Sequence, residues 1–130
     1  MSTIPDNSRQ NGVLFRASIE NGPEIGRRIR LASSWGSRLK GLLGTKSLDE
    51  DEGLLLVPCT SIHMFFMSIP LDVLFLSADG VVVAVYHTIK PWRISRHHGN
   101  ALGVLELPAG RAKELEIEVG DRILFCEPPS

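Results

Sequence analysis

The stretch LDVLFLSADGVVVAVY, residues 71–86, decides the fold. Two runs rich in β-forming residues flank Ser77-Ala78-Asp79-Gly80, and an Asp-Gly pair between such runs is typical of a β-hairpin turn. The first run, Leu71–Leu76, is almost continuously apolar, as expected for a strand whose two faces are both covered. The segment therefore predicts a hairpin whose first strand lies inside a sheet.

Further short runs of apolar or alternating residues on both sides of the hairpin also indicate strands. They are Gly12–Ser18, Arg28–Leu31, Leu54–Val57, Ala101–Leu107 and Arg122–Cys126. Apolar residues at helical spacing after a capping serine predict one short α-helix at residues about 34–43, and Arg111–Leu115 is compatible with a single helical turn. The pattern is mainly β and predicts a compact antiparallel β-sandwich or barrel of seven to eight short strands with one short α-helix.

The length of 130 residues favours one domain, which we place at residues 12–126, between flexible tails at residues 1–11 and 127–130. Fourteen Lys+Arg and fifteen Asp+Glu give a net charge of −1, which excludes attraction of the whole surface to nucleic acid or anionic membrane. The sequence shows neither a secretory signal pattern nor an apolar run of about 18 residues, so we expect a cytoplasmic protein. Cys59 and Cys126 are expected to be free thiols.

Several motifs together resemble one prokaryotic family, catalogued as domain of unknown function 192 (DUF192). They are CTSIHMFFMSIPLDVLF at residues 59–75, LELPAG at residues 105–110, the later Gly120-Asp121 and RLKGLLG at residues 38–44. The resemblance covers roughly residues 25–126 and implies a small, mainly β, sandwich-like domain, but no reaction. Many members of this family have Trp where this chain has His63 and lack Cys59, so the chain resembles a second branch with Cys-Thr-Ser-Ile-His.

Two carboxylates stand inside apolar strand sequence, Asp72 after Leu71 and Glu106 between Leu105 and Leu107. A buried carboxylate must be paired, hydrogen-bonded or protonated. Asp72 is therefore either a structural acceptor for backbone N–H groups or for an arginine (Arg38 or Arg93), or a general base or ligand anchor. If Asp72 and Glu106 met in one pocket, their repulsion would raise one pKa and make an acid–base pair.

Cys59 and His63 are four residues apart, a spacing that puts both side chains on one face of a helix or strand. One interpretation is a thiolate nucleophile beside an imidazolium. Another is half of a zinc site, which His87, His97 or His98 would complete. The simpler one is a buried thiol with a hydrogen-bonded histidine, and we assign no metal or cofactor. Met64–Met67 is expected to pack in the core, or to form a ligand pocket or dimer contact.

The loop Lys90–Asn100 carries three cations and Trp92. Arginines beside an indole can hold a phosphate or carboxylate while stacking on a planar group, although most such loops are simply solvated. Three cations would bind nucleic acid only weakly. The candidate ligand-binding residues are therefore Asp72, Trp92, Arg93 and Arg96.

These observations favour a small β-domain that binds a polar, anionic or carbohydrate-like ligand, or a protein partner, near Asp72 and the Lys90–Asn100 loop. One alternative is a hydrolase or lyase that uses Asp72 or Glu106 with His63, assisted by zinc or Cys59. Another is a homodimerising interaction module. We expect a monomer or homodimer that has no nucleic-acid or membrane partner.

Overall fold

The computed structural model describes residues 4–5, 13–32, 48–59, 69–90 and 95–127. Within these ranges, seven strands form one sheet in the order β5-β4-β6-β3-β2-β1-β7. A helical turn, α1, follows β6. The elements are β1 (Leu14–Ile19), β2 (Glu24–Ala32), β3 (Glu52–Leu56), β4 (Leu71–Leu76), β5 (Val82–Ile89), β6 (Gly103–Pro108), α1 (Arg111–Glu114) and β7 (Ile123–Cys126).

The β4–β5 hairpin has the turn that its sequence predicts. Gly80 adopts φ 82°, and its N–H donates to the Ser77 carbonyl at 2.9 Å. A positive φ is accessible to glycine without steric cost. All six residues of β4 are buried, and the strand pairs with β5 on one side and with β6 on the other. The prediction of an interior strand covered on both faces is confirmed.

The sheet curls until its two edge strands meet at one end. Val81 forms a bridge with Arg122, the Val82 N–H donates to the Asp121 carbonyl at 2.8 Å, and the Ile123 N–H donates to the Gly80 carbonyl at 2.8 Å. The fold is thus a mainly β half-barrel of seven strands with a short helix, as the sequence predicts. One pair departs from the antiparallel pattern, because β2 and β3 run parallel. Residues 33–51 separate them, and parallel neighbours need such a long connection.

The two faces of the curled sheet carry separate apolar clusters. The larger cluster takes residues from all seven strands and from α1, so we call its side the inner face. The smaller cluster covers the other side of β2–β6, the outer face, with contributions from loop residue Ala101. It contains Ala32, Leu54, Leu56, Leu71, Val73, Phe75, Ile89, Ala101 and Val104.

The remaining sequence predictions concern the helices, the N-terminal residues and the cysteines. The helix predicted at residues 34–43 lies outside the described residues, whereas the helical turn predicted at Arg111–Leu115 is α1. Ile4 is 4% exposed and belongs to the inner cluster. The tail predicted at residues 1–11 stays a prediction, since only residues 4–5 of it are described. Cys59 and Cys126 are not joined in a disulfide. Within the described ranges, no helix is long and apolar enough to cross a membrane.

Candidate functional site

Asp72 is fully buried on the inner face and accepts two backbone hydrogen bonds. Its Oδ1 accepts from the Thr88 N–H at 2.7 Å, and its Oδ2 accepts from the Ala112 N–H at 2.8 Å. Two backbone N–H donors match the role of a structural acceptor, which is one of the two roles that the sequence leaves open for Asp72. Asp72 thereby connects β4 to β5 and to α1.

The Thr88 donor is available because β5 bulges opposite Asp72. The register shifts between the pairs Leu71↔Ile89 and Val73↔Tyr86, which places one extra residue on β5. Thr88 adopts φ 52°, a left-handed conformation that is unusual for a β-branched residue. A bulge removes a backbone group from the regular ladder. The Asp72 carboxylate accepts a hydrogen bond from the Thr88 N–H, the backbone group that the bulge frees from the ladder.

Glu106 is also fully buried, but it points to the opposite face. It pairs with Val73 on β4 and with Leu54 on β3, and both neighbours belong to the outer cluster. Among the residues that the structure describes, none hydrogen-bonds to either carboxyl oxygen. Burial raises the pKa of the Glu106 carboxyl to about 8 from its ordinary 4.5. We call this group the unmatched carboxyl, and at neutral pH it is mostly protonated.

The two carboxyl groups do not share a pocket. Paired residues on neighbouring strands point to the same face, and successive residues on one strand point to opposite faces. Asp72 pairs with Leu107 and Glu106 with Val73, so the two acids lie on opposite sides of the sheet. The acid–base pair that would follow from their convergence is therefore excluded.

An aromatic group lies on the outer face beside this row of residues. Tyr86 pairs with Val73, and its ring packs edge-on against Phe75 and His98. The Tyr86 Oη lies 2.8 Å from His98 Nε2, and it accepts a hydrogen bond from the Arg96 N–H at 3.1 Å. We call this arrangement the Tyr86–His98 corner. It fastens the described part of the Lys90–Asn100 loop, residues 95–100, to β5.

The Tyr86–His98 corner and the unmatched carboxyl belong to one surface. Tyr86, Val73 and Glu106 form a row across three neighbouring strands, which separates the first and third by roughly 10 Å. Cys59 packs half-buried against the same outer cluster, and its N–H donates to the Leu102 carbonyl at 2.8 Å. The sequence did not single out Tyr86, which has the pattern of an ordinary strand aromatic.

The other predicted site residues are placed as follows. Arg96 is exposed beside the Tyr86–His98 corner and contributes its backbone N–H there. His63, Trp92, Arg93 and the run Met64–Met67 lie outside the described residues. Within those residues, Cys59 and the three other histidines do not form a group of three ligands that could hold a metal ion.

A cleft of about 410 Å³ opens at the end of β6, lined by Glu50, Pro108, Ala109, Gly110, Arg111 and Glu114. The Arg111 guanidinium donates to the Ile25 carbonyl and to Glu50, and it also contacts Glu114. Because this cation already has its partners, we place the candidate site on the outer face instead.

The fold and this site define a class of protein: a small half-barrel whose outer face carries a buried, unmatched carboxyl. The model of the family DUF192, described as "Uncharacterized ACR", matches residues 17–125. The chain belongs to this family, as its motifs predict. The family has no established function.

Relatives with sequence similarity carry the name UPF0127 protein. The one from Thermococcus sibiricus is 34% identical over 100 residues, which cover 74% of this chain and 64% of the relative. The one from Pyrococcus furiosus is 31% identical over 111 residues, which cover 82% of this chain and 93% of the relative. The chain thus spans slightly less than two thirds of the Thermococcus sibiricus relative.

Two solved structures share the fold. A Sinorhizobium meliloti protein described as a "putative transcription regulator" has a TM-score of 0.76 and 26% identity, and the match covers 90% of this chain and 97% of that chain. A protein of unknown function from Novosphingobium aromaticivorans has a TM-score of 0.73 and 24% identity, with coverage of 90% and 94%. The second likeness concerns the fold alone.

Proposed function

We propose that this domain binds a small polar ligand on its outer face, where Glu106 recognises the ligand and the Tyr86–His98 corner forms the margin of the site. The observation that carries the proposal is the unmatched carboxyl. Both of its oxygens are buried, and neither has a hydrogen-bond partner among the described residues.

A buried carboxyl without a partner at position 106 costs the fold stability. Burial of a polar group without a hydrogen bond costs roughly 1–3 kcal/mol by protein mutational data, and a leucine at the same strand position would avoid this cost. Buried polar groups in proteins are almost always paired, so an exception needs an explanation, and a partner bound from outside is the one that we propose. Burial raises the pKa of the Glu106 carboxyl, and acids with shifted pKa values cluster at functional sites.

The sequence also predicts a small polar ligand, but with Asp72 as the residue that anchors it, whereas we propose Glu106. Asp72 already accepts two backbone hydrogen bonds, whereas Glu106 retains its full capacity to donate and accept. Arg96 lies exposed at the Tyr86–His98 corner, where its charge would favour an anionic substituent on the ligand. Trp92 and Arg93 remain ligand-binding residues predicted by the sequence.

Ligand binding is better supported than nucleic-acid binding, which the description of the Sinorhizobium meliloti protein suggests. Arg16 pairs with Glu24 at 2.9 Å, Arg28 lies 3.3 Å from Asp51, and Arg111 contacts two glutamates. Arginines that are matched by carboxylates contribute little to phosphate binding, which depends on the release of counterions by unmatched cations.

The test is a binding screen by thermal unfolding and calorimetry with monosaccharides, amides, nucleobases, amino acids and small amines. A ligand at one hundred times its Kd stabilises the native state by about 2.7 kcal/mol. We expect at least one compound to bind the wild type and the control Glu118→Leu, whose side chain is exposed, but not Glu106→Leu. The proposal is wrong if no compound binds, or if every compound that binds does so equally well to Glu106→Leu.

A further inference from the structure

We infer that the ligand presents a planar amide edge, with one N–H and one C=O side by side, to the Glu106 carboxyl. This inference rests on the proposed function and names the chemical class that the site would accept. Lactams, cyclic imides and pyrimidine bases with a free N–H carry such an edge.

The first step is the hydrogen-bonding capacity of the carboxyl itself. A protonated carboxylic acid has one O–H donor and one carbonyl acceptor in the same plane. Burial keeps Glu106 in this form, since it raises the pKa to about 8. Both atoms lack a partner within the described ranges, so a complementary ligand must supply an acceptor and a donor together. An amide edge supplies both and forms two nearly linear hydrogen bonds.

The second step is the surroundings of the carboxyl. Val73 and Leu54 lie beside Glu106 on the two neighbouring strands, and Val104 lies two residues before it on β6. All three are buried members of the outer cluster. The group that meets the carboxyl would therefore contact apolar side chains, which favours a flat and largely apolar molecule. A sugar would bring additional hydroxyl groups that need partners, at a cost of roughly 1–3 kcal/mol for each one left unpaired.

The third step excludes a simple amine. An ammonium group has three donors and cannot accept a hydrogen bond, so it would leave the O–H of a neutral carboxyl unmatched. It would have to ionise Glu106, and the resulting buried ion pair would carry a large desolvation penalty. Arg30, which pairs with Leu54 and therefore lies on the same face, adds a positive charge that opposes a cationic ligand.

Glu106→Gln should preserve binding of a ligand that presents an amide edge. A carboxamide has the same shape as a neutral carboxyl and also presents a donor and an acceptor in one plane. An amide-edged ligand should therefore still bind Glu106→Gln, with affinity within about tenfold of wild type, and should fail to bind Glu106→Leu. A ligand that needs a negative charge would behave differently, because Gln cannot ionise.

The experiment is a titration of ¹⁵N-labelled wild type, Glu106→Gln and Glu106→Leu, followed by NMR. The probes are uracil, δ-valerolactam and succinimide, with 1,3-dimethyluracil as the matched compound without an N–H edge, and with glucose and methylammonium for the rival classes. We expect at least one edge-bearing probe to shift resonances of the outer face in wild type and in Glu106→Gln. Where uracil binds, 1,3-dimethyluracil should bind at least about tenfold more weakly.

Three results would overturn the inference and leave the proposed function in place. In the first, 1,3-dimethyluracil binds as tightly as uracil. In the second, the probes with an amide edge bind wild type but not Glu106→Gln. In the third, only glucose or methylammonium binds in a way that depends on Glu106. If no probe and no compound of the earlier screen depends on Glu106, the proposed function itself is wrong and the inference is lost with it.

Discussion

Two carboxyl groups on the neighbouring strands β4 and β6 are both completely buried, yet they differ in what surrounds them. Asp72 accepts hydrogen bonds from Thr88 and Ala112, whereas Glu106 has no partner in the described part of the chain. Burial alone therefore does not reveal the role of an acid. The supply of donors separates a carboxyl with a structural role from one whose hydrogen-bonding capacity is unused.

The difference comes from the local backbone. Asp72 lies opposite a bulge and next to the first turn of α1, where backbone N–H groups are outside regular ladders. Glu106 lies within a strand that pairs regularly with β3 on one side and β4 on the other. The N–H groups of its neighbours on β3, β4 and β6 belong to those ladders, so none of these strands offers a backbone donor to the carboxyl.

The largest expected effect is on the pH dependence of stability. The pKa of Glu106 is raised to about 8 in the folded protein from about 4.5 when unfolded, so the native state binds more protons between these values. Stability is therefore greatest below pH 4.5 for this group, and it falls as the pH rises to and through 8, by roughly 5 kcal/mol in total. Urea unfolding of wild type and Glu106→Gln at pH 5 and pH 9 measures this effect.

Glu106→Gln removes the titrating group and keeps its shape, so the difference between the two proteins isolates Glu106 from all other titrations. The free energy of unfolding of the variant should exceed that of wild type progressively as the pH rises. Parallel pH profiles would show that Glu106 ionises normally and would contradict the contrast with Asp72.

The second effect has the opposite sign. Asp72→Asn replaces one accepting oxygen with an amide NH₂ that faces a backbone N–H, and it removes the charge that strengthens both bonds. The expected loss is about 2–4 kcal/mol at neutral pH, measured by urea unfolding. Asp79→Asn, at an exposed position in the hairpin turn, is the matched control and should change stability by less than about 0.5 kcal/mol. A variant as stable as wild type would argue against a structural role for Asp72.

A smaller effect is expected at the Tyr86–His98 corner. Tyr86→Phe keeps the ring but removes the oxygen that accepts from the Arg96 N–H and contacts His98. Stability should fall by about 1 kcal/mol, and hydrogen exchange at the Arg96 amide should accelerate. The Thr88 amide, bonded to Asp72, serves as the internal reference and should exchange as before. Unchanged exchange at Arg96 would show that the tyrosine does not hold the loop.

Much of the fold could be predicted because its signals are local. The Asp79-Gly80 turn and the apolar run of β4 specify a hairpin and an interior strand within a few residues. The parallel pairing of β2 with β3 could not be predicted, since it depends on where the chain returns after residues 33–51. Local patterns identify strands but contain no information about which strands become neighbours.

The candidate site could be predicted only in part. Asp72 and Glu106 both stand out in apolar sequence. Which of them is the better candidate for a ligand anchor depends on hydrogen-bond partners that are distant along the chain. The donors to Asp72 come from positions 16 and 40 residues away, and the irregular backbone that frees them has no sequence signature. The opposite orientation of the two side chains depends on the register of β4 with β6. Sequence alone therefore favoured Asp72, whereas the structure favours Glu106 as the ligand anchor.

Glu106 is a protonated acid that has no hydrogen-bond partner among the residues that the structure describes. A ¹³C NMR titration of glutamate-labelled protein, with the Glu106 carboxyl resonance assigned by its disappearance in Glu106→Gln, measures this directly. We expect the midpoint at about pH 8. A midpoint near the ordinary value of 4.5 would show that the carboxyl is solvated or paired, and would contradict the account.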